Sequence, residues 1–169
     1  EPKERTRWTF KIRKGVRFHD GSTFNAQAAA WNFDKILNST SPQFDAKQAA
    51  QGRSRIPTVK GYRALDEHTL EITTSEPDAL LPYAVAWIVM SSPAAWEKAG
   101  RNWDAFTKAP AGTGPWKLER YAPRERAELV PNRDYWNKAR TPKAERLVLL
   151  PMPDALARVA ALRAGQVDW

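Results

Sequence analysis

The chain has 169 residues, 42% of them apolar, with 8 Trp, 6 Phe and 4 Tyr. That suffices for one packed core and excludes a disordered composition. No apolar run reaches the about 18 residues a membrane-spanning helix needs, and zero Cys removes disulfides and thiolate chemistry. The formal charge of +8 arises from 27 basic residues scattered among 19 acidic ones. No Lys/Arg run reaches the roughly five to eight of a compact nucleic-acid patch, so a dispersed basic surface is expected, one that favours anionic ligands by long-range steering. A basic nucleic-acid-binding module is the competing class, and a salt-dependent gel shift would discriminate it.

In chain order, Trp8, Phe10 and Ile12 alternate with Thr9, Lys11 and Arg13, the pattern of a strand with one buried face. Val16 and Phe18 resume the alternation as a short second strand, and Asp20-Gly21 marks a tight turn. Asn25 is placed to cap a helix over residues 25–38, whose Ala26, Ala29, Ala30, Phe33, Ile36 and Leu37 form one apolar stripe. Residues 38–57 read as an irregular excursion with one short helical turn near 45–50. Residues 59–64 and 69–74 predict a hairpin whose second strand keeps a wet face, Leu70 and Ile72 alternating with Glu71 and Thr73. Pro77 suits the first turn of the next helix, with Leu80, Leu81, Ala84, Val85 and Ile88 inward.

Tyr83 and Trp87, four apart, share a face of that helix, either packed in the core or bordering a ligand cleft. Two short helices follow, at residues 94–99 and 101–108. Gly112-Thr113-Gly114 lies between Pro110 and Pro115, a composition that implies an unusual backbone path with close approach. It lacks the Lys-Ser/Thr of a phosphate loop and the third Gly of a dinucleotide fingerprint. A second hairpin is expected at 116–121 and 127–130, and Tyr135-Trp136 suits the edge of a sheet. Residues 147–150 read as a strand buried on both faces. A helix from Pro153-Asp154 to Gly165 and a strand beginning at 167 would complete a βαβ unit on a parallel sheet.

Four ordered motifs carry a resemblance: the 8–38 stretch, the 59–74 hairpin, Gly112-Thr113-Gly114-Pro115-Trp116, and Asn132 to Trp136 followed by the Ala-Arg-rich segment ending at Asp168. Together they resemble the family 5 extracellular solute-binding proteins, the receptors that feed ABC importers of peptides, opines, nickel chelates and some sugars. One departure is Ala28, where the family has an Asp completing the capping box; that costs about 1 kcal/mol at most.

The resemblance implies an α/β fold with a mixed, antiparallel-rich sheet, similar to type II periplasmic binding proteins. Residues 1–143 would form the smaller extra domain and residues 144–169 the first, truncated βαβ segment of the main lobe. The chain, which starts at Glu1 without Met, would be an internal piece of a larger receptor. The implied function is capture of a small solute, a peptide or amino-acid-like compound foremost, for delivery to ABC permease subunits from a periplasmic or extracellular position. Nickel chelates and oligosaccharides are a further alternative; nickel is disfavoured because Ala86, Trp87 and Ile88 include no Arg. Candidate ligand-binding residues are Tyr83, Trp87, Gly112, Thr113, Gly114 and Trp116.

No catalysis, cofactor or metal is expected. His19 and His68 stand far apart, each in a turn where exposure is the expectation, and carboxylates such as Asp66 and Glu67 sit beside solvent. The isolated chain is expected to bind no physiological solute with useful affinity, and its unpaired apolar edge to be either covered by a partner copy or frayed with the C-terminal βαβ unit.

Overall fold

The computed structural model describes residues 6–169; residues 1–5 of the expected first domain lie outside the described part. The elements form two three-stranded antiparallel sheets with helices packed around the first. The first sheet has the order β1–β3–β2, with β1 at Arg7–Lys11, β2 at Val59–Asp66 and β3 at Thr69–Thr74. Trp8, Phe10 and Ile12 are the more buried residues of their run, as the alternation requires.

Helix α1, Ala26–Leu37, lies across this sheet, and Asn25 caps it by accepting the Ala28 amide. Its stripe of Ala26, Ala29, Phe33 and Ile36 meets Leu70 and Ile72 from the sheet and Leu81 and Ile88 from the following segment. Phe33 stacks on Tyr62 at 5.2 Å between ring centroids. A second apolar knot joins Trp31 to Trp96 and Trp103, with centroids 5.6 and 6.0 Å apart. Trp96 belongs to α4, Pro93–Lys98, and Trp103 to α5, Trp103–Phe106.

Several expectations change. Val16 and Phe18 are buried, yet they form no strand pair beyond a single bridge between Arg17 and Thr23 across the turn. Turn hydrogen bonds fold this stretch back on itself, Phe18 donating to Ser22 and Phe24 to Val16. The expected wet face of β3 is closed. Glu71 is only 6% exposed because β3 is the central strand, and Arg7 and Arg63 from its two neighbours reach Glu71 at 2.9 and 2.8 Å. The 45–50 turn is a full helix, α2, Ala46–Arg55, capped by the Asp45 carboxylate at the Lys47 and Gln48 amides. Its low apolar content hid it; Gly52 lets it approach α1 so closely that a β-carbon there would stand 2.9 Å from Ile36 Cδ1.

The second sheet, β4–β5–β6, comprises Trp116–Ala122, Arg126–Pro131 and Leu147–Leu149. Here β6 pairs antiparallel with β5, and residues 167–169 form no strand, so the expected βαβ unit on a parallel sheet is not present. Val148, Leu149 and Leu150 are exposed rather than buried on both faces. Helix α6, Ala155–Arg163, forms as expected, capped by Asp154 and ended at Gly165, whose φ is +67°. Trp136 sits under the Arg13 guanidinium, 4.5 Å from the ring centroid, which joins the end of the second sheet to the turn after β1.

Candidate ligand-binding surface

The long helix expected from Pro77 breaks into two pieces: α3, Leu81–Ala84, and a 3₁₀ turn, Val85–Trp87. Asp78 holds the approach, accepting from the Leu80 amide at 2.9 Å and from Thr58 Oγ1 at 2.6 Å. Leu81 and Ile88 are buried and pin both ends, whereas Leu80, expected inside, is 69% exposed. Between the pins the aromatics are turned out. Tyr83 is 76% and Trp87 65% exposed, so neither is a core residue. Exposed aromatics held on a pinned turn are the usual material of contact surfaces. The Arg55 guanidinium lies 4.7 Å from the Trp87 ring centroid.

The strand of chain after Trp87 is gripped from α1. The Asn32 side chain bonds the Ser91 backbone in both directions, donating to its carbonyl at 2.9 Å and accepting its amide at 2.8 Å. Three residues on, Lys35 Nζ donates to the Val89 carbonyl at 2.9 Å and to Ser91 Oγ at 3.1 Å. Lys35 is 1% exposed, and burial lowers its pKa to about 8, with Asp45 pulling weakly the other way. Among the described residues no carboxylate pairs with it directly.

The Gly112-Thr113-Gly114 loop is bound to the same region, since the Ser92 amide donates to the Ala111 carbonyl. Its path is set differently from the expectation. Neither Gly112 nor Gly114 has positive φ, and a β-carbon at Gly114 would meet nothing within 4 Å. The shape comes instead from His19, which is partly buried rather than exposed. The His19 amide donates to the Gly112 carbonyl at 2.8 Å, the Gly112 amide donates to Nδ1 at 3.3 Å, and Nε2–H donates to the Gly114 carbonyl at 2.9 Å. Asn132 closes the other side, donating to the Gly114 carbonyl at 3.1 Å.

The six candidates therefore divide. Trp87 lines a groove between α1, α2 and residues 87–89. Gly112 stands close to the Met90 carbonyl and His19, and Thr113 and Gly114 are half-buried beside it. Trp116 opens β4 and lines a separate groove with Leu147, Val159, Leu162 and Trp169 between the second sheet and α6. Sequence reasoning missed Lys35, Arg55 and His19. The signal for Lys35 was present: Ala28, Asn32 and Lys35 follow one another at helical spacing along a second buried line of α1. Among the described residues no group of three or more His, Cys, Asp or Glu converges as metal ligands would, and no helix is long and apolar enough to cross a membrane.

Comparison with known proteins decides the family. Residues 2–169 match the family described as bacterial extracellular solute-binding proteins, family 5 Middle. The chain belongs to that family. It is 30% identical to the periplasmic oligopeptide-binding protein OppA of Escherichia coli, over 95% of this chain and 32% of the relative. It is 29% identical to the glutathione-binding protein GsiB of the same species, over 96% of this chain and 30% of the relative. Among solved structures, it resembles the ABC transporter-associated periplasmic binding protein DppA of Helicobacter pylori in complex with a peptide. There the TM-score is 0.74 and the identity 26%, over 96% of this chain and 34% of that one. A dipeptide-binding protein of a Pseudoalteromonas species shows the same fold, with a TM-score of 0.80 at 20% identity, over 98% of this chain and 35% of that one. This family 5 chain thus has the mixed helix–sheet fold of type II periplasmic binding proteins and spans about a third of the length of the relatives it matches.

Proposed function

We propose that this chain is part of the substrate-binding component of an ABC importer, a receptor that captures a small solute for a membrane permease. A peptide or related amino-acid-like compound is the solute class this reading favours, from the relatives OppA and GsiB. Nothing in it calls for catalysis, since a receptor needs only to enclose and release its ligand. Residues 1–143 are taken as the smaller domain and residues 144–169 as the start of the main lobe, acting in the periplasm or outside the cell. The β4–β5–β6 sheet straddles that boundary, β6 pairing with β5, so the division rests on the family resemblance and not on the sheets.

One observation carries the reading: Tyr83 and Trp87 stand exposed on a turn whose two ends, Leu81 and Ile88, are buried. A hinged receptor closes such surfaces on its ligand. Residues 112–114, tied to the same segment through Ser92 and Ala111, would complete that edge, with Trp116 at its far end. Self-association through the unpaired edge at β6 belongs to the same reading. The test is Trp87→Ala in the whole receptor, followed by calorimetry with its best peptide ligand. Weaker binding at unchanged thermal stability supports the assignment; unchanged affinity removes Trp87 from the site.

A further inference from the structure

The groove beside Trp87 has a chemistry that no part of the family reading assigns. It measures about 430 Å³, within the range of small-molecule sites. Along its walls lie Lys35, Gln48, Gln51, Ser54, Arg55 and Trp87, with no acidic side chain among the lining residues. Arg55 is exposed at the opening while the Lys35 ammonium lies buried behind its wall, and neither has a carboxylate partner among the described residues. Lys35 is held from behind by two neutral oxygens, those of Val89 and Ser91. The Arg55 guanidinium carbon lies over the Trp87 indole, 4.7 Å from the ring centroid. A guanidinium held over an indole and without an ion-pair partner keeps N–H groups for a carboxylate, which it can grip with two parallel hydrogen bonds.

We propose that this groove is a carboxylate-binding subsite, in which Arg55 takes the carboxylate edge-on, Trp87 covers the adjoining apolar body, and Lys35 supplies a buried positive field. The inference deepens the proposed import function by naming the chemical end of the solute that this chain receives, and it rests on Trp87 facing the ligand. Burial raises the worth of the Lys35 charge, because the field of a poorly hydrated ammonium is weakly screened. The overall charge of +8 draws anions toward the same site. Trp87 contributes a face large enough for a planar or aliphatic side group, and the amides of Gln48 and Gln51 suit further polar contacts.

The test is an NMR titration of the ¹⁵N-labelled 169-residue chain with sodium benzoate, with benzamide as the neutral isostere, at constant ionic strength. Benzoate should move the Trp87 indole N–H and the Gly52 amide saturably, with a Kd on the order of millimolar for so small a probe. Benzamide should bind about tenfold more weakly, the loss expected when charge-assisted hydrogen bonds disappear. Arg55→Gln should abolish the preference for benzoate, while Lys47→Gln, an equal loss of charge elsewhere on α2, should leave it intact. Equal binding of the two probes, unchanged preference in Arg55→Gln, or equal loss in both variants would overturn the proposal. Such a failure would leave the import reading untouched, since that reading stands on peptide capture by the whole receptor.

Discussion

His19 and Gly112 hold each other through two hydrogen bonds, the His19 amide donating to the Gly112 carbonyl and the Gly112 amide donating to His19 Nδ1. An imidazole nitrogen that accepts cannot carry a proton, so the loop is fastened by the neutral ring, with its hydrogen on Nε2 facing the Gly114 carbonyl. Burial holds the His19 pKa below its usual value, and Lys117 reinforces this against the opposing pull of the Gly114 carbonyl and Asp20. A depressed pKa in the folded state gives stability that is fully present above about pH 6.5 and is lost as pH falls through the folded value. Thermal midpoints taken between pH 7 and 5 should therefore fall further for the native chain than for His19→Gln. Parallel declines in the two proteins would show that His19 does not fasten the loop.

The packing reading of α1 gives a second expectation. Phe33 is buried at the centre of the stripe and stacked on Tyr62, whose hydroxyl donates to Asp34 at 2.8 Å. Phe33→Ala opens a cavity beneath a residue held from two sides, so little collapse can fill it. The expected loss is roughly 3–5 kcal/mol in chemical denaturation at neutral pH. A loss under about 1 kcal/mol would mean that the stripe is not the core of this domain.

How far the sequence reveals this molecule follows from which interactions are local. The α1 stripe, the Asn25 cap and the β2–β3 hairpin are written in spacings of a few residues, and they form where the pattern places them. Glu71 looked solvated because alternation along one strand cannot show that its two neighbours each lend an arginine. Helix α2 escaped notice since its stability rests on the Asp45 cap and on contact with α1 rather than on an apolar stripe. The antiparallel pairing of β6 depends on a partner strand some twenty residues earlier, which a strand–helix–strand rhythm misassigns. For the proposed ligand surface, Tyr83 and Trp87 were visible as a spaced pair. The choice between core and surface was settled by the break of their helix into a pinned turn.

Lys35 offers the last expectation, at the opposite end of the pH scale from His19. Its ammonium is enclosed by α1, the 89–91 segment and the Trp103 ring, 5.6 Å away. Desolvation penalises the charged form and lowers the pKa from 10.5 to about 8. In the unfolded chain the same group remains fully hydrated. The sign follows from linkage: between about pH 8 and 10.5 the unfolded state binds more protons, so stability rises with pH across that window. At neutral pH the charge is retained at a cost of roughly 3 kcal/mol relative to strongly alkaline solution, which two hydrogen bonds to neutral oxygens do not remove. Lys35→Met has no such titration. Other lysines titrate alike in both proteins and cancel in the difference. Urea denaturation of the two at pH 7.5 and pH 10.5 should show the native chain gaining on the variant by roughly 3 kcal/mol over that interval. A constant difference would show that the ammonium is hydrated in the folded chain, and the buried positive field behind the Trp87 groove would go with it.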